Sequence, residues 1–185
     1  AGHRGWRAQR LLDPRTGWRG PRYVALHTLS HLLMREVALE CGYGSASLAE
    51  RLYCRSPGGP GDEAGPMAGI LLYTAAPDSE GTLGGLVSLG EPESLERLLG
   101  QALRGAALCA SDPMCAEHRP SRDDPSLHGA ACHACLFAPE TSCERANRYL
   151  DRTLVVDTFC RSGLGLLAEP GQTAGVAVPA GLHPK

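Results

Sequence analysis

Cys109-Ala-Ser-Asp-Pro-Met-Cys115, followed after sixteen residues by Cys132-His-Ala-Cys135, is the stretch around which this sequence organises itself. The pattern is C-x5-C-x16-C-x2-C. A zinc-class cation takes four soft or borderline ligands at the corners of a tetrahedron, with Zn–S near about 2.3 Å. A C-x2-C pair reaches two adjacent corners from one tight turn, and a second pair can arrive from a distant loop. Asp112-Pro113 breaks the first loop, and Gly129 precedes the second knuckle. Four thiolates on Cys109, Cys115, Cys132 and Cys135 leave no open coordination position, so the expected Zn²⁺ site is structural. Cys143 stands as a substitute ligand. His118 and His128 lie nearby in sequence, and His133, inside the C-x2-C turn, is expected to point away from the metal. The rival readings are buried free thiols, or a redox pair at Cys132 and Cys135.

Composition narrows the rest. The 185 residues carry a net charge of −2 and are 43% hydrophobic and 21% charged, which suits a folded domain and excludes a globally basic nucleic-acid binder. Of the 18 basic residues, Lys185 is the single lysine, a bias of GC-rich codon usage rather than a signature of DNA affinity. Eight cysteines without a secretory signal favour metal binding in a reducing cytoplasm over disulfides. No apolar run reaches the roughly 18 residues needed to cross a bilayer, so no membrane role is expected. The chain opens on Ala1, as a processed protein or a piece of a longer one would.

Outward from the cysteines, residues 23–41 place Leu26, Leu29, Leu33, Val37 and Cys41 at helical spacing, with Gly42 as the stop. Ser47 and Glu50 form a capping-box pattern that predicts a second helix carrying Leu48, Leu52 and Tyr53. Residues 54–68 are a loop. GILLYTA (69–75) reads as a buried strand and LVSLG (86–90) as another. A helix starts at Pro92, with Leu95, Leu98, Leu99, Ala102, Leu103 and Ala106 as its stripe. Thr141 and Glu144 suggest a capped helix through Leu150, and TLVVDTF (153–159) a strand. The expected fold class is α+β, a small mixed sheet with packed helices and a structural zinc site near the C-terminal helices. The expected organisation is a basic Arg/Trp arm at 1–22, a domain at 23–160 and a Gly/Ala/Pro tail at 161–185.

Two further features carry chemistry. His27 and His31 stand at i and i+4 on the first long helix and face the same way. With Asp78 and Glu80 of the turn-rich segment 77–85 they would form the pocket of a hydrolase, or of a nuclease using a second, open metal site. Satisfied structural histidines and a plain glycine turn are the alternative. Arg7, Arg10, Arg22, Arg145, Arg148 and Arg152 are the candidate phosphate contacts. The last three fall at i, i+3 and i+7, one face if that segment is helical. A solvated charged face is the plainer account of them. No Walker motif and no nucleophile–base–orienter trio is present, so an enzyme is not expected, and no small-molecule substrate is evident.

LHTLSHLLMREVALECGY, GILLYTAAPDSEGTLGGLV, CASDPMC and GAACHACLFAPETSCERANRYLDR, in that order, resemble the MrfA-type zinc-binding (MZB) domain, more particularly the version at the C-terminus of DrmB proteins of the DISARM anti-phage system. The resemblance covers roughly residues 23–153. It implies zinc on the four cysteines, with Cys143 also belonging to the pattern. It implies a superfamily 2 DNA helicase as partner, in the same chain or beside it, and DNA as a further partner. On this reading the chain is a non-catalytic module of a bacterial, helicase-associated defence or repair protein.

Overall fold

The computed structural model describes residues 2–58, 65–75 and 85–167. The expected site residues Asp78 and Glu80, and most of the expected tail, lie outside them. The longest element is α2 (Gly20–Cys41), reached through a short helix α1 (Gly2–Ala8) and a series of turns. Pro21 occupies the first turn of α2, where its missing N–H costs nothing, and Gly42 closes the helix in the left-handed conformation at φ 68°. Residues from several sides of α2 are buried, among them Val24, His27, Thr28, Ser30, Leu32 and Val37. It is therefore a central helix and not an amphipathic surface one.

Two clusters of apolar side chains sit along α2. Ala25 and Leu32 join Ala102, Ala106, Leu136, Leu150, Val155 and Val156 around the cysteines. Met34 and Val37 join Tyr43, Leu48, Leu89 and Leu98 on the side of the sheet. Helix α4 (Pro92–Ala106) touches both clusters, because Leu98, Ala102 and Ala106 recur every four residues on its buried face. A bidentate pair from Arg97 to Glu40, 2.8 and 3.1 Å, ties α4 to α2 at the surface. Between sheet and α4 lies one helical turn, α3 (Gly85–Ser88).

The fold is α+β. Its sheet is a two-stranded antiparallel ladder of β1 (Leu48–Arg55) and β2 (Met67–Thr74), running from Leu48 opposite Thr74 to Arg55 opposite Met67. Strand β2 is the expected one in place, but it is not buried: Met67, Leu71 and Tyr73 are exposed. Strand β1 replaces the expected second helix. Leu48 and Leu52 fit both a helix face at i and i+4 and a strand face at i and i+4, and in the strand Glu50 lies between them on the inner face, buried. Glu50 is thus no capping residue. LVSLG is likewise the turn of α3 and not a strand.

Residues 2–22 are not extended. Helix α1 lays Gly2 and Gly5 against Pro120 and Pro125, so closely at Gly2 that a Cβ there would collide with Pro120. Trp18 and His3 stack near Tyr149. After the cysteines the chain makes tight turns where the helix capped by Thr141 was expected, and Arg152–Leu154 is a 3-10 turn in place of a strand. Asp151 caps that turn by accepting from the Thr153 N–H at 3.1 Å.

Candidate metal centre

The end of α4 and the one-turn helix α5 (Met114–Glu117) carry Cys109 and Cys115 to the knuckle at Cys132–Cys135. All four sulfurs lie within 4.8 Å of one another. Cys109–Cys132 is 3.5 Å, Cys115–Cys135 3.7 Å and Cys132–Cys135 3.7 Å. A disulfide would need about 2.05 Å, whereas the edge of a tetrahedron with Zn–S of about 2.3 Å is about 3.8 Å. All eight cysteines are free thiols. The donor set and its spacing therefore fit a closed zinc-class site.

The loops are built to hold those sulfurs. In the knuckle, the N–H groups of Cys135, Leu136 and Phe137 all point at the Cys132 carbonyl, at 2.9 to 3.2 Å. In the first loop, Asp112 accepts from the Cys109 N–H at 2.9 Å and the Ala116 N–H at 3.0 Å. Asp112 is fixed in turn by Arg152. That side chain is wholly buried and donates to Asp112 and to the Ala106 and Ala107 carbonyls at 2.9 and 3.1 Å. It caps the C-terminal carbonyls of α4 and braces the first cysteine loop. Gly129 is required nearby, since a Cβ there would strike the Asp151 carboxylate.

The electrostatics favour a cation. Burial pushes the Cys115 thiol up to about 12, with Cys132 and Cys109 adding to the rise, and burial pushes Cys135 up as well. At Cys132 burial acts the same way but is outweighed by hydrogen bonds from the Ala134 backbone and the Cys109, Cys135 and Cys115 thiols, bringing it down to about 7. One thiolate forms readily and its neighbours resist. Only a cation among them makes four thiolates compatible, and its binding would release their protons.

His133 is exposed and packs edge-on to Phe137, outside the sulfur cluster. His118 and His128 stack on each other at 4.9 Å, and neither joins the cluster. Cys143 is no substitute ligand there. It belongs to a second buried group with His27, His31 and Glu50, whose donor atoms also lie within 4.8 Å of one another. The partners of the histidines are therefore Glu50 and Cys143, and the expected pairing with Asp78 and Glu80 falls outside the described residues. Sequence reading missed Glu50 because it stood where a capping residue was expected.

Within that second group, burial works against a charge on His31, but the Cys143 thiol and the Glu50 carboxylate outweigh it and raise His31 to about 9. His27 is raised by the same neighbours against the same penalty. Cys143 is drawn down to about 7 by the two histidines despite burial, and Glu50 falls well below the carboxylate range.

The candidate phosphate contacts divide. Arg10 and Arg148 both lie over the Trp6 ring, at 4.1 and 5.5 Å, along an open groove that also includes His128, His133 and Phe137. Arg7 donates to the Asp13 carbonyl and to Thr16, and Arg22 to the Met67 carbonyl. Arg145 donates to the Tyr23 hydroxyl at 3.1 Å. Arg152 is withdrawn from the set, since it is sealed from solvent, and no helix aligns it with Arg145 and Arg148.

The profile of the MrfA Zn-binding domain family (MZB) matches residues 29–136, more than half of the chain. The chain belongs to the MZB family. This MZB domain is also similar to the DISARM protein DrmB of Bacillus paralicheniformis (strain ATCC 9945a / NCIMB 11709 / CD-2), 47% identical over 137 residues, which are 74% of this chain and 23% of that protein. It thus spans about a quarter of the relative it matches. No helix among the described residues of this MZB domain is long and apolar enough to cross a membrane.

Proposed function

We propose that this domain is a non-catalytic, zinc-braced docking module of a DISARM-type anti-phage protein, acting in the cytoplasm beside a superfamily 2 DNA helicase. The observation that carries this reading is the four-thiol cluster of Cys109, Cys115, Cys132 and Cys135, held by loops with no free coordination corner, in a chain of the MZB family similar to DrmB. Zinc bound there supplies no reaction chemistry. It would fix the end of α4 against the knuckle and the 150–156 segment, next to the groove at Trp6, Arg10 and Arg148.

Two surfaces suit the partners. The outer face of the sheet presents Arg51, Tyr53, Leu71 and Tyr73, apolar rings beside one cation, the composition of a protein-docking patch. The groove around Trp6 gathers two guanidinium groups, Arg10 and Arg148, on one ring, a pair of cations that suits a phosphate backbone. The hydrolase or nuclease reading loses ground, because His27 and His31 are at most 2% exposed, although His31 borders a groove with Met34 and Tyr43.

The test is co-elution with the superfamily 2 helicase of the same defence system, together with DNA binding measured across a salt series. Wild type should co-elute, and Tyr53→Asp with Leu71→Asp should not. DNA affinity should fall as salt rises, and Arg10→Ala with Arg148→Ala should flatten that slope by about 2. Failure of both binding measurements in a folded, zinc-loaded protein would sink the docking reading.

A further inference from the structure

The second buried group is the strongest unassigned feature of the molecule. It is assembled from three distant parts of the chain: His27 and His31 from α2, Glu50 from β1, and Cys143 from the turns after the knuckle. His27 and Cys143 fall outside the residues matched by the family profile. All four side chains are buried, at 0%, 2%, 3% and 6% exposure.

Their orientations are those of ligands. His31 Nδ1 lies 2.8 Å from the Leu136 carbonyl, which can only accept, so Nδ1 carries a proton and Nε2 is the nitrogen that faces into the group. Buried His31 Nε2 has no hydrogen-bond partner, and neither do the two Glu50 carboxylate oxygens. His27 Nε2 stands between Glu50 Oε1 at 2.8 Å and Cys143 Sγ at 3.2 Å, and out of line for a hydrogen bond to the carboxylate. His31 Nε2 is 3.4 Å from the same oxygen. Buried and facing one another, these atoms call for positive charge at the centre of the group, which protons on the imidazoles or a bound cation supply.

Cys143 is prepared in the manner of a metal-bound thiolate. Its sulfur accepts the backbone N–H of Arg145 at 3.4 Å and of Asn147 at 3.2 Å. To turn both amides onto the sulfur, the chain holds Ala146, Asn147 and Tyr149 in the left-handed region, at φ 50°, 58° and 64°. Such a run of non-glycine residues survives only where the surroundings enforce it. Asn147 is held there by a two-way bond with the Ala138 backbone, 2.9 and 2.7 Å.

We propose that His27, His31, Glu50 and Cys143 form a second metal site, closed and structural, for a divalent zinc-class cation with two imidazole nitrogens, one carboxylate and one thiolate as ligands. Imidazole and thiolate select zinc-class ions over magnesium or calcium, and four buried donors match a tetrahedron. The ion joins α2, β1 and the 138–149 turns, which the half-buried Glu144 also links by accepting from the Tyr23 hydroxyl and the Leu52 N–H. The site stands independently of the cysteine cluster and of the docking reading.

The test is metal analysis of the whole purified chain combined with X-ray absorption at the metal edge. Two metal equivalents should be found, with five sulfurs and three nitrogen or oxygen ligands over the two sites, the sum of the two donor sets. Cys143→Ser, and separately Glu50→Gln, should lower the content from two equivalents to one, and the remaining metal should then be all-sulfur. One equivalent with purely sulfur coordination in the wild type overturns the second site, as does a metal-free chain. One equivalent with a single sulfur and three lighter ligands supports it and sinks the four-cysteine reading instead. Because the wild-type absorption spectrum decides the matter, a variant that fails to fold does not.

Discussion

The Arg152 guanidinium is out of contact with solvent and commits its two terminal nitrogens to the Ala106 and Ala107 carbonyls and to Asp112. Asp112 in turn positions the Cys109 and Ala116 amides. Removing one partner of a buried, hydrogen-bonded pair leaves the other uncompensated, typically by about 3–5 kcal/mol. Arg152→Met should therefore lower the unfolding free energy from a urea titration by that amount, and Arg152→Lys should not restore it, since a point charge cannot serve three acceptors in a fork. A variant as stable as wild type would remove the clamp from the account. Arg152 was legible in the sequence as a cation near the knuckle, but not as a buried one. Its spacing from Arg145 and Arg148 had meaning only on a helix, and the left-handed residues at 146, 147 and 149 prevent that helix.

Helix α4 carries its buried face on few residues. Leu98 is 1% exposed and is the largest of them, packed with Met34, Val37 and Leu48. Leu98→Ala should cost about 2–5 kcal/mol through lost transfer energy and the cavity left behind, while Leu95→Ala, at 40% exposure, should stay within about 1 kcal/mol. Denaturant titration of both variants checks the contrast, and equal losses would mean the helix packs on a different face. Helix α2 was readable from its periodicity and closing left-handed glycine, α4 from its periodicity and first-turn proline, and β2 from a short apolar run. Strand β1 was not, because LAERLYCR satisfies two periods at once. Only pairing with β2, a contact far along the chain, decides between them.

Across the whole molecule the two apolar clusters share α2 but differ in what holds them. The cluster around Ala25 and Leu32 contains Cys115 and Cys135, so it depends on the four-cysteine site, whereas that of Met34, Leu48 and Leu98 does not. Cys132→Ser should raise hydrogen exchange first in residues 106–136 and 150–156 and leave the β1–β2 ladder protected. A uniform rise through the ladder would show that the clusters open as one. The clustering of the four cysteines was legible, because they are close in sequence and chemically distinctive. The second site was half legible: the histidine pair was visible, and its partners lay too far away to be found by spacing.

That difference in reach sets an order of events. The cysteine pairs close loops of 20 and 23 residues, whereas His27 meets Cys143 across 116. By chain entropy the longer closure costs only about 1.4 kcal/mol more, so equilibrium hardly distinguishes them. The time course does, because local contacts form before distant ones. A refolding chain therefore gathers its sulfur-rich hairpin while α2 is still searching for its partners. The meeting of histidine, carboxylate and lone thiol marks the moment at which α2, β1 and the 138–149 turns have found one another.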